Sequence, residues 1–296
     1  MTTVLVTGAS GDTGRPTVER LLEKGFHVRA LVRKDDDRAQ KLRDLGAEVV
    51  FGDMLSLRDI RLAMEGVQRA YFCYPLAEGL VEAGVIFAQA AKEQKLELIV
   101  NMSHKQSRPA ARSKATQNHW LSEQVFDWSG VPSVHLRITF FAEWLLYIAP
   151  LIRYGRYALP YSKDSRFAPI AGADIARIVA GIIENPAPYA GKALALHGPV
   201  EYSHEELAAE VGRVLGKTLP YEQITVSTFL DLLGLQDVEP FRRHFEAATI
   251  DQQEGLLAGT DSTGRAIIGQ PLMTVEAFIK ANLSKFVIEY PPAARR

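Results

Sequence analysis

The feature that most constrains this chain is a glycine-rich turn close to its start. A short apolar run, Val4-Leu5-Val6, leads into Thr7-Gly8-Ala9-Ser10-Gly11-Asp12-Thr13-Gly14, and an amphipathic segment follows Pro16. This order predicts a strand, a tight turn and a helix. Glycines let the backbone approach a ligand closely, and free N–H groups at a helix start attract an anion such as a pyrophosphate. The turn therefore predicts a dinucleotide site, although three glycines alone can also simply join a strand to a helix.

Predicted strands and helices alternate through the first hundred residues. After the opening strand, the pattern predicts strands over 27–32, 47–51, 69–74 and 96–100, separated by helices that include 38–45, 57–65 and 80–94. Such alternation predicts an α/β fold with a Rossmann-type doubly wound parallel sheet. Because the crossovers are right-handed, all the strand ends meet at one crevice. Four further strand ends at suitable intervals favour a dinucleotide site over a simple connection.

The end of the second predicted strand bears on which cofactor is bound. A fold that prefers NAD usually has an acidic residue there, about 20 residues past the glycines, to bind the ribose hydroxyls. This chain has Arg33-Lys34 instead, and two cations suit a 2′-phosphate. We therefore expect NADP(H) to be preferred over NAD(H). One carboxylate of Asp35-Asp36-Asp37 could still reach the ribose, but a solvated acidic turn is the favoured interpretation.

The remaining strand ends supply further candidate cofactor contacts. Asp53 with Met54 could hold the adenine edge, or Asp53 could instead cap the helix that begins near Ser56. Tyr74 and Pro75 follow the fourth strand, and Met102 follows the fifth. We expect these residues to face the cofactor with the glycine turn.

An aromatic-rich region begins near residue 138 and leads into a smaller α+β lobe. Its aromatic residues either pack the second lobe onto the sheet or line a pocket for a flat apolar ligand. The candidates for a substrate wall are Phe140, Phe141, Trp144 and Tyr147. We expect a nucleotide-binding domain over 1–150, with a later return near 168–198, and a substrate lobe over 151–296. The tail 291–296 is expected to fray.

Composition narrows the class of protein. The 296 residues include 34 Lys and Arg against 35 Asp and Glu, so no basic surface for nucleic acid is expected. The apolar stretch 138–152 is interrupted by polar residues and proline, and no targeting segment is visible, so we expect a cytoplasmic protein without a membrane span. The lone Cys73 is interpreted as a buried strand thiol, and no metal site is expected.

Several motifs together resemble the NmrA-like branch of the atypical short-chain dehydrogenase/reductases. They are the glycine turn, Val32-Arg33-Lys34, Gly52-Asp53, His119 before Glu123, Ser129-Gly130-Val131-Pro132, Leu136-Arg137, Phe141-Ala142-Glu143, Ala173-Asp174-Ile175-Ala176, Gly191-Lys192 and His197-Gly198-Pro199. The resemblance covers nearly the whole chain, and the second half is similar to NADPH-dependent quinone reductases of this branch. It implies a Rossmann domain with a small C-terminal substrate lobe and the nicotinamide between them.

One departure from the wider superfamily concerns the proton donor. Typical short-chain dehydrogenases use a Tyr-x-x-x-Lys pair, in which the lysine lowers the tyrosine pKa. No tyrosine of this chain has a lysine four residues later. His119 and Ser103 are the candidate catalytic residues, with a purely structural His119 equally open. His104 and Lys105 are favoured as solvated loop residues.

Two functions from different classes follow. The first is hydride transfer from NADPH to a small aromatic or quinone-like substrate, whose delocalised product charge lessens the need for a strong acid. The second is a catalytically weak regulatory protein that senses NADP(H) and acts through a protein partner. A sugar-nucleotide epimerase is disfavoured because that chemistry normally relies on the missing tyrosine.

Overall fold

The computed structural model describes residues 1–287, so the tail 291–296 lies outside the described residues. The strands are β1 (Thr3–Val6), β2 (His27–Val32), β3 (Glu48–Phe51), β4 (Arg69–Phe72), β5 (Leu98–His104), β6 (Ser133–Ile138), β7 (Tyr157–Leu159), β8 (Arg166–Phe167), β9 (Ala193–Leu196), β10 (Tyr202–Ser203) and β11 (Tyr221–Gln223). The helices are α1 (Gly14–Glu23), α2 (Asp37–Asp44), α3 (Leu57–Met64), α4 (Leu80–Glu93), α5 (Lys114–Ser129), α6 (Trp144–Tyr147), α7 (Ala149–Arg153), α8 (Gly172–Glu184), α9 (His204–Leu215), α10 (Val226–Leu233), α11 (Glu239–Gln253), α12 (Thr263–Ile268), α13 (Val275–Ala281) and α14 (Leu283–Phe286).

Seven parallel strands form the central sheet in the order β3-β2-β1-β4-β5-β6-β9. The order reverses between β1 and β4, which is where a doubly wound sheet opens a crevice for a ligand. The predicted Rossmann-type α/β fold with a smaller C-terminal lobe is confirmed. Two strands beyond the five predicted from the first hundred residues, β6 and β9, complete the sheet on the β5 side.

Two predicted strand ends are wrong in ways that affect the site. The fifth strand continues to His104 instead of ending at Val100, because β6 pairs with it as far as the His104–Ile138 position. The fourth strand ends at Phe72 instead of Tyr74. Ser103 therefore lies within β5, and Cys73 lies in the loop that follows β4.

Apolar side chains cover both faces of the sheet. One face packs against α1 and α8 through residues such as Val4, Val18 and Ile178, and the other against α3, α4 and α5 through residues such as Leu5, Ile60 and Phe126. Burial on both faces explains why the central strands are nearly continuous apolar runs rather than alternating ones. The site is thus confined to the edge where the strands end.

A separate apolar cluster fills the C-terminal lobe. It joins residues of α6, α7 and α9 with Phe229, Phe245, Phe278 and Phe286. Ser203 and Glu206 form a capping box at the start of α9. The boundary at residue 150 stays a prediction. Over residues 1–287, every helix is too short or too polar to cross a bilayer.

Candidate nucleotide and substrate site

The glycine turn after β1 is held by backbone contacts that leave no room for side chains. Gly8 has φ +59°, and a Cβ there would lie 2.9 Å from the Cys73 carbonyl oxygen. A Cβ at Gly14 would overlap the Gly8 carbonyl oxygen itself. The Gly11 N–H donates to that same oxygen at 2.9 Å. The backbone of α1 can therefore start directly against β1, with its first N–H groups at the crevice.

The start of α1 has no side chain that neutralises it. Thr13, at the N-cap, makes no capping bond; its hydroxyl instead lies 3.0 Å from the Tyr71 hydroxyl. The first turn of α1 contains no acidic residue, whereas α2, α3, α5, α9, α10 and α13 are each capped by a Ser, Thr or Asp side chain. Within this first turn the Arg15 N–H donates to the Gly11 carbonyl at 3.1 Å and Pro16 has no N–H, which leaves the Gly14 N–H for a ligand. An uncapped helix start with its positive dipole end fits a pyrophosphate. The residues present thus fit the phosphates of a dinucleotide.

After β2, the basic side chains are unpaired within the described part of the chain and two of the acidic side chains are paired. Arg33 and Lys34 are exposed and make no ion pair or hydrogen bond with the residues that the structure describes. Asp35 pairs with Arg43 at 2.8 Å, and the Asp36 carboxylate caps α2. The cations are thus available to a ligand while two of the three neighbouring carboxylates are engaged. The sequence alone did not show how the acidic turn is used.

The loop after β3 contains Asp53 and Met54. The Asp53 carboxylate accepts the Leu55 N–H at 2.9 Å, and Ser56 is the residue that caps α3. The alternative in which Asp53 caps that helix is therefore wrong. Met54 is buried in the apolar cluster under α3. Any contact of Met54 with an adenine would thus involve its backbone, and the adenine role of these two residues stays a prediction.

The loop after β4 lies beside the glycine turn. Thr7 joins the two, since its hydroxyl oxygen accepts the Cys73 N–H at 2.8 Å. The Tyr74 hydroxyl donates to the Glu78 carbonyl at 2.6 Å, and Pro75 is exposed. Cys73 is only partly buried and lies outside the strand, contrary to expectation. Burial still raises the pKa of its thiol, which disfavours the reactive thiolate.

The candidates on β5 are not free to act as predicted. Met102 packs its side chain into the sheet core, so only its backbone can face a cofactor. Ser103 is 2% exposed, and its hydroxyl donates to Glu123 at 2.5 Å. Glu123 also accepts two hydrogen bonds from Arg137. The Ser103 hydroxyl is therefore committed to a buried charged network, and we do not assign it a proton-transfer role.

Three histidines lie near one another beside the end of β5, and none of them lines the aromatic cavity described below. The rings of His104 and His119 stack 5.9 Å apart, and His244 stacks on Trp144 at 5.4 Å. Burial lowers the pKa of His104 to about 3, and that of His119 and His244 to about 4. Lys105 donates to the carbonyls of Leu257 and Ala258. His104 and Lys105 are thus packed groups, not the solvated loop residues expected, and all three imidazoles are neutral at pH 7.

Aromatic side chains surround a cavity of about 430 Å³, open mouth included. Phe140, Phe141 and Trp144 line it, as predicted for the substrate wall. Tyr147 does not line it. Its ring packs on Trp144 at 5.0 Å and its hydroxyl reaches the Asp12 carboxylate at 3.3 Å. Tyr147 therefore connects the cavity wall to the glycine turn.

Glu143 is a further residue of the site. In the sequence it appears only within the motif Phe141-Ala142-Glu143, and no role is predicted for it. Both of its carboxylate oxygens accept the Gly172 N–H at the start of α8, at 2.9 and 3.0 Å. Gly172 in turn packs on the Asp12 backbone. Burial, together with the carboxylates of Asp12 and Asp174, raises the pKa of Glu143 to about 7. A polar residue between Ala142 and Trp144 was the available signal.

His204 and Tyr161 were missed as site residues. Both line the cavity, at 1% and 2% exposure, although they come from β10–α9 and the loop after β7. A histidine directly after a helix cap is usually exposed, so the sequence carried no signal that this one faces a cavity. No group of His, Cys, Asp or Glu within 1–287 is arranged to hold a metal ion.

A family model decides the relationship of this chain. The model for the NmrA-like family matches residues 1–279. The chain belongs to the NmrA-like family. The resemblance found in its motifs is therefore confirmed, and the family match includes both the glycine turn and the lobe that carries the aromatic cavity.

Two proteins of similar sequence are named as reductases. An NAD(P)H azoreductase from Xenophilus azovorans is 26% identical over 287 residues, covering 96% of this chain and 99% of that protein. A (4-alkanoyl-5-oxo-2,5-dihydrofuran-3-yl)methyl phosphate reductase from Streptomyces griseus is 27% identical, covering 90% and 93%. These relatives support the expectation of an NAD(P)H-dependent oxidoreductase.

A solved structure shares the fold over nearly all of the chain. An Escherichia coli NADPH-dependent quinone oxidoreductase complexed with NADPH aligns with TM-score 0.83 at 23% identity, covering 95% of this chain and 99% of that one. At this identity the likeness shows the fold.

The first prediction concerns the glycine turn. Gly14→Ala places a methyl group on the Gly8 carbonyl, so the turn must open and its N–H groups move away from the phosphates. We expect NADPH binding, measured by isothermal titration calorimetry, to weaken at least 100-fold. Gly25→Ala is the control, because nothing lies within 4 Å of a Cβ added there, although Gly25, unlike Gly14, has positive φ (+79°). It should lose about 1 kcal/mol of stability and keep wild-type binding. Wild-type affinity in Gly14→Ala would refute this account.

The second prediction concerns pH. Because the folded-state pKa of Glu143 is raised from 4.5 to about 7, its contribution to stability is complete below pH 4.5 and is lost as pH rises through 7. Glu143→Gln removes this titration. Between pH 5 and pH 8 the wild type should lose roughly 1 to 3 kcal/mol of unfolding free energy relative to the variant, by urea denaturation. Exposed Glu246→Gln should run parallel to wild type. Parallel curves for Glu143→Gln would contradict the prediction.

Proposed function

We propose that this protein is an NADPH-dependent oxidoreductase that transfers a hydride to a flat conjugated acceptor such as a quinone. The observation that carries the proposal is the continuity between the nucleotide edge and the aromatic cavity. Asp12 of the glycine turn meets Tyr147, Tyr147 packs on Trp144, and Trp144 lines the cavity. A planar ring in the mouth of this cavity would lie beside a nicotinamide bound past the glycine turn.

The preference for NADPH rests on charge. Arg33 and Lys34 extend from the end of β2 with no partner among the described residues, while Asp36 is held by the α2 backbone and Arg38. A 2′-phosphate would gain charge-assisted hydrogen bonds from the two cations. A ribose with a free 2′-hydroxyl carries no negative charge there and would gain no such bond from either cation. The relative's name, NAD(P)H azoreductase, is compatible with either nucleotide.

The chain's own groups suit an acceptor that needs little proton donation. When bound, a reduced nicotinamide supplies the hydride. The aromatic walls orient a planar ring and exclude water. His119 is neutral at pH 7 because burial lowers its pKa to about 4, so it can donate a hydrogen bond to a developing oxyanion but is a weak acid. A quinone tolerates this, since its product charge is delocalised.

The third prediction tests cofactor choice. Wild type should bind NADPH more tightly than NADH. Arg33→Ala/Lys34→Ala should weaken NADPH binding about 10- to 100-fold and leave NADH binding unchanged, because only the phosphate contacts are lost. Lys41→Ala is the matched control, since it removes an exposed cation from α2 at the same sheet edge. Tighter binding of NADH by the wild type would refute the assignment.

The fourth prediction tests turnover. NADPH oxidation should be stimulated by 1,4-naphthoquinone within a panel that also includes an azo dye and an enone. His119→Phe should lower kcat about tenfold by removing one hydrogen bond to the developing oxyanion. Ser103→Ala should keep kcat within about twofold and lose stability, because its hydroxyl serves the Glu123 network.

The panel also separates the second candidate function. If no acceptor is reduced while NADPH still binds, the reductase proposal fails. A change of protein association between NADP and NADPH would then favour a nucleotide-sensing regulator. The fold of such a protein is shared here, since NmrA, a negative transcriptional regulator solved with NADP, aligns with TM-score 0.79 at 18% identity, covering 94% of each chain.

A further inference from the structure

The aromatic cavity has an outer and an inner end that differ in chemistry. The half-buried Trp144 marks the outer end, where it packs on Tyr147, which is 46% exposed and contacts Asp12 of the glycine turn. Tyr161 and His204, almost fully buried, mark the inner end, where their rings stack 5.1 Å apart. The inner end is therefore remote from solvent.

Polar atoms without partners are concentrated at this inner end. The Tyr161 hydroxyl and both His204 ring nitrogens are buried and have no hydrogen-bond partner among the described residues. Gln252 is a polar neighbour of His204 but does not line the cavity. A buried polar group left unpaired costs about 1 to 3 kcal/mol, so such groups in a cavity wall indicate a ligand that completes them.

The nearby Tyr221 provides an internal contrast. Its ring also stacks with His204, at 5.6 Å, but its hydroxyl donates to the Tyr161 carbonyl at 2.7 Å. Tyr221 does not line the cavity. One tyrosine hydroxyl of this ring stack is thus used by the fold, whereas the Tyr161 hydroxyl in the cavity wall is not.

The cavity wall also excludes charge. Its lining residues include no Lys, Arg, Asp or Glu. Burial lowers the pKa of His204 to about 4, so the ring is uncharged at pH 7. An anionic substituent would lose its hydration without gaining a counter-ion, which is strongly unfavourable. A neutral hydroxyl or carbonyl can instead exchange hydrogen bonds with an imidazole and a phenol.

Resting on the proposed function, we propose that Tyr161 and His204 are specificity-determining residues that bind a neutral hydroxyl or carbonyl group at the inner end of a flat aromatic substrate. The substrate class is then a flat, uncharged aromatic acceptor, with its reducible part at the outer end and a hydrogen-bonding group at the inner end.

The test compares the binding of three non-reducible probes to the full chain by isothermal titration calorimetry at pH 7: naphthalene, 2-naphthol and 2-naphthalenesulfonate. Wild type should bind 2-naphthol about 3- to 10-fold more tightly than naphthalene, as one added hydrogen bond implies. The sulfonate should bind more weakly than both. Equal affinity for naphthalene and 2-naphthol, or tighter sulfonate binding, would overturn the proposal.

Variants identify the groups responsible. Tyr161→Phe should abolish the preference for 2-naphthol and melt at or above the wild-type temperature, because an unpaired buried hydroxyl is removed. Tyr221→Phe, the matched control, should keep the preference and melt lower, because it loses a satisfied hydrogen bond. His204→Phe should also reduce the preference where it folds. A Tyr161→Phe protein that melts lower and keeps the preference would show a purely structural hydroxyl and refute the assignment.

The two proposals fail separately. Turnover of 1,4-naphthoquinone with NADPH tests hydride transfer and needs no group at the inner end. A lost preference in Tyr161→Phe without any turnover in wild type would support the inner recognition site and reject the reductase. Turnover with no preference among the probes would support the reductase and reject the inner site.

Discussion

The close approach of α1 to β1 is the constraint on which the nucleotide site depends. Gly14 contacts the Gly8 carbonyl so closely that no side chain fits, and Gly8 itself turns with positive φ against the Cys73 carbonyl. This contact brings the uncapped start of α1 to the place where the strand order reverses. Thr7 and Thr13 turn their hydroxyls toward the β4 side, so neither side chain caps the start of α1.

The second constraint on the site is that its titratable side chains are buried, which disfavours their charged forms. The crevice contains three histidines whose pKa values burial lowers far below 7, and a carboxylate, Glu143, whose pKa burial raises to about 7. The buried Glu123 accepts hydrogen bonds from Ser103 and Arg137, which joins α5 to β5 and β6. Such a site favours positioning and desolvation over acid catalysis, which agrees with the missing Tyr-x-x-x-Lys pair.

Much of the fold was predictable because it depends on local patterns. Alternating apolar strands and helices indicated the parallel sheet, and the glycine turn indicated the start of α1. The site residues were predicted from the ends of the predicted strands, so the prediction was right only where those strand ends were right. Its errors came from long-range effects: pairing with β6 extended β5 and buried Ser103, and the lobe packed around His104 and Lys105.

The sequence by itself determined the nucleotide edge of this protein, since the strand, the glycine spacing and the pair of cations are close together in the chain. The glycines act through local backbone geometry, and the cations act through their charge. Only the tertiary structure decided the chemistry of the cavity. His204, Tyr161 and Trp144 are separated by up to sixty positions in the chain and meet through packing of the lobe. Whether a hydroxyl is satisfied, as for Tyr221, or left unpaired, as for Tyr161, depends on which backbone groups that packing brings within reach.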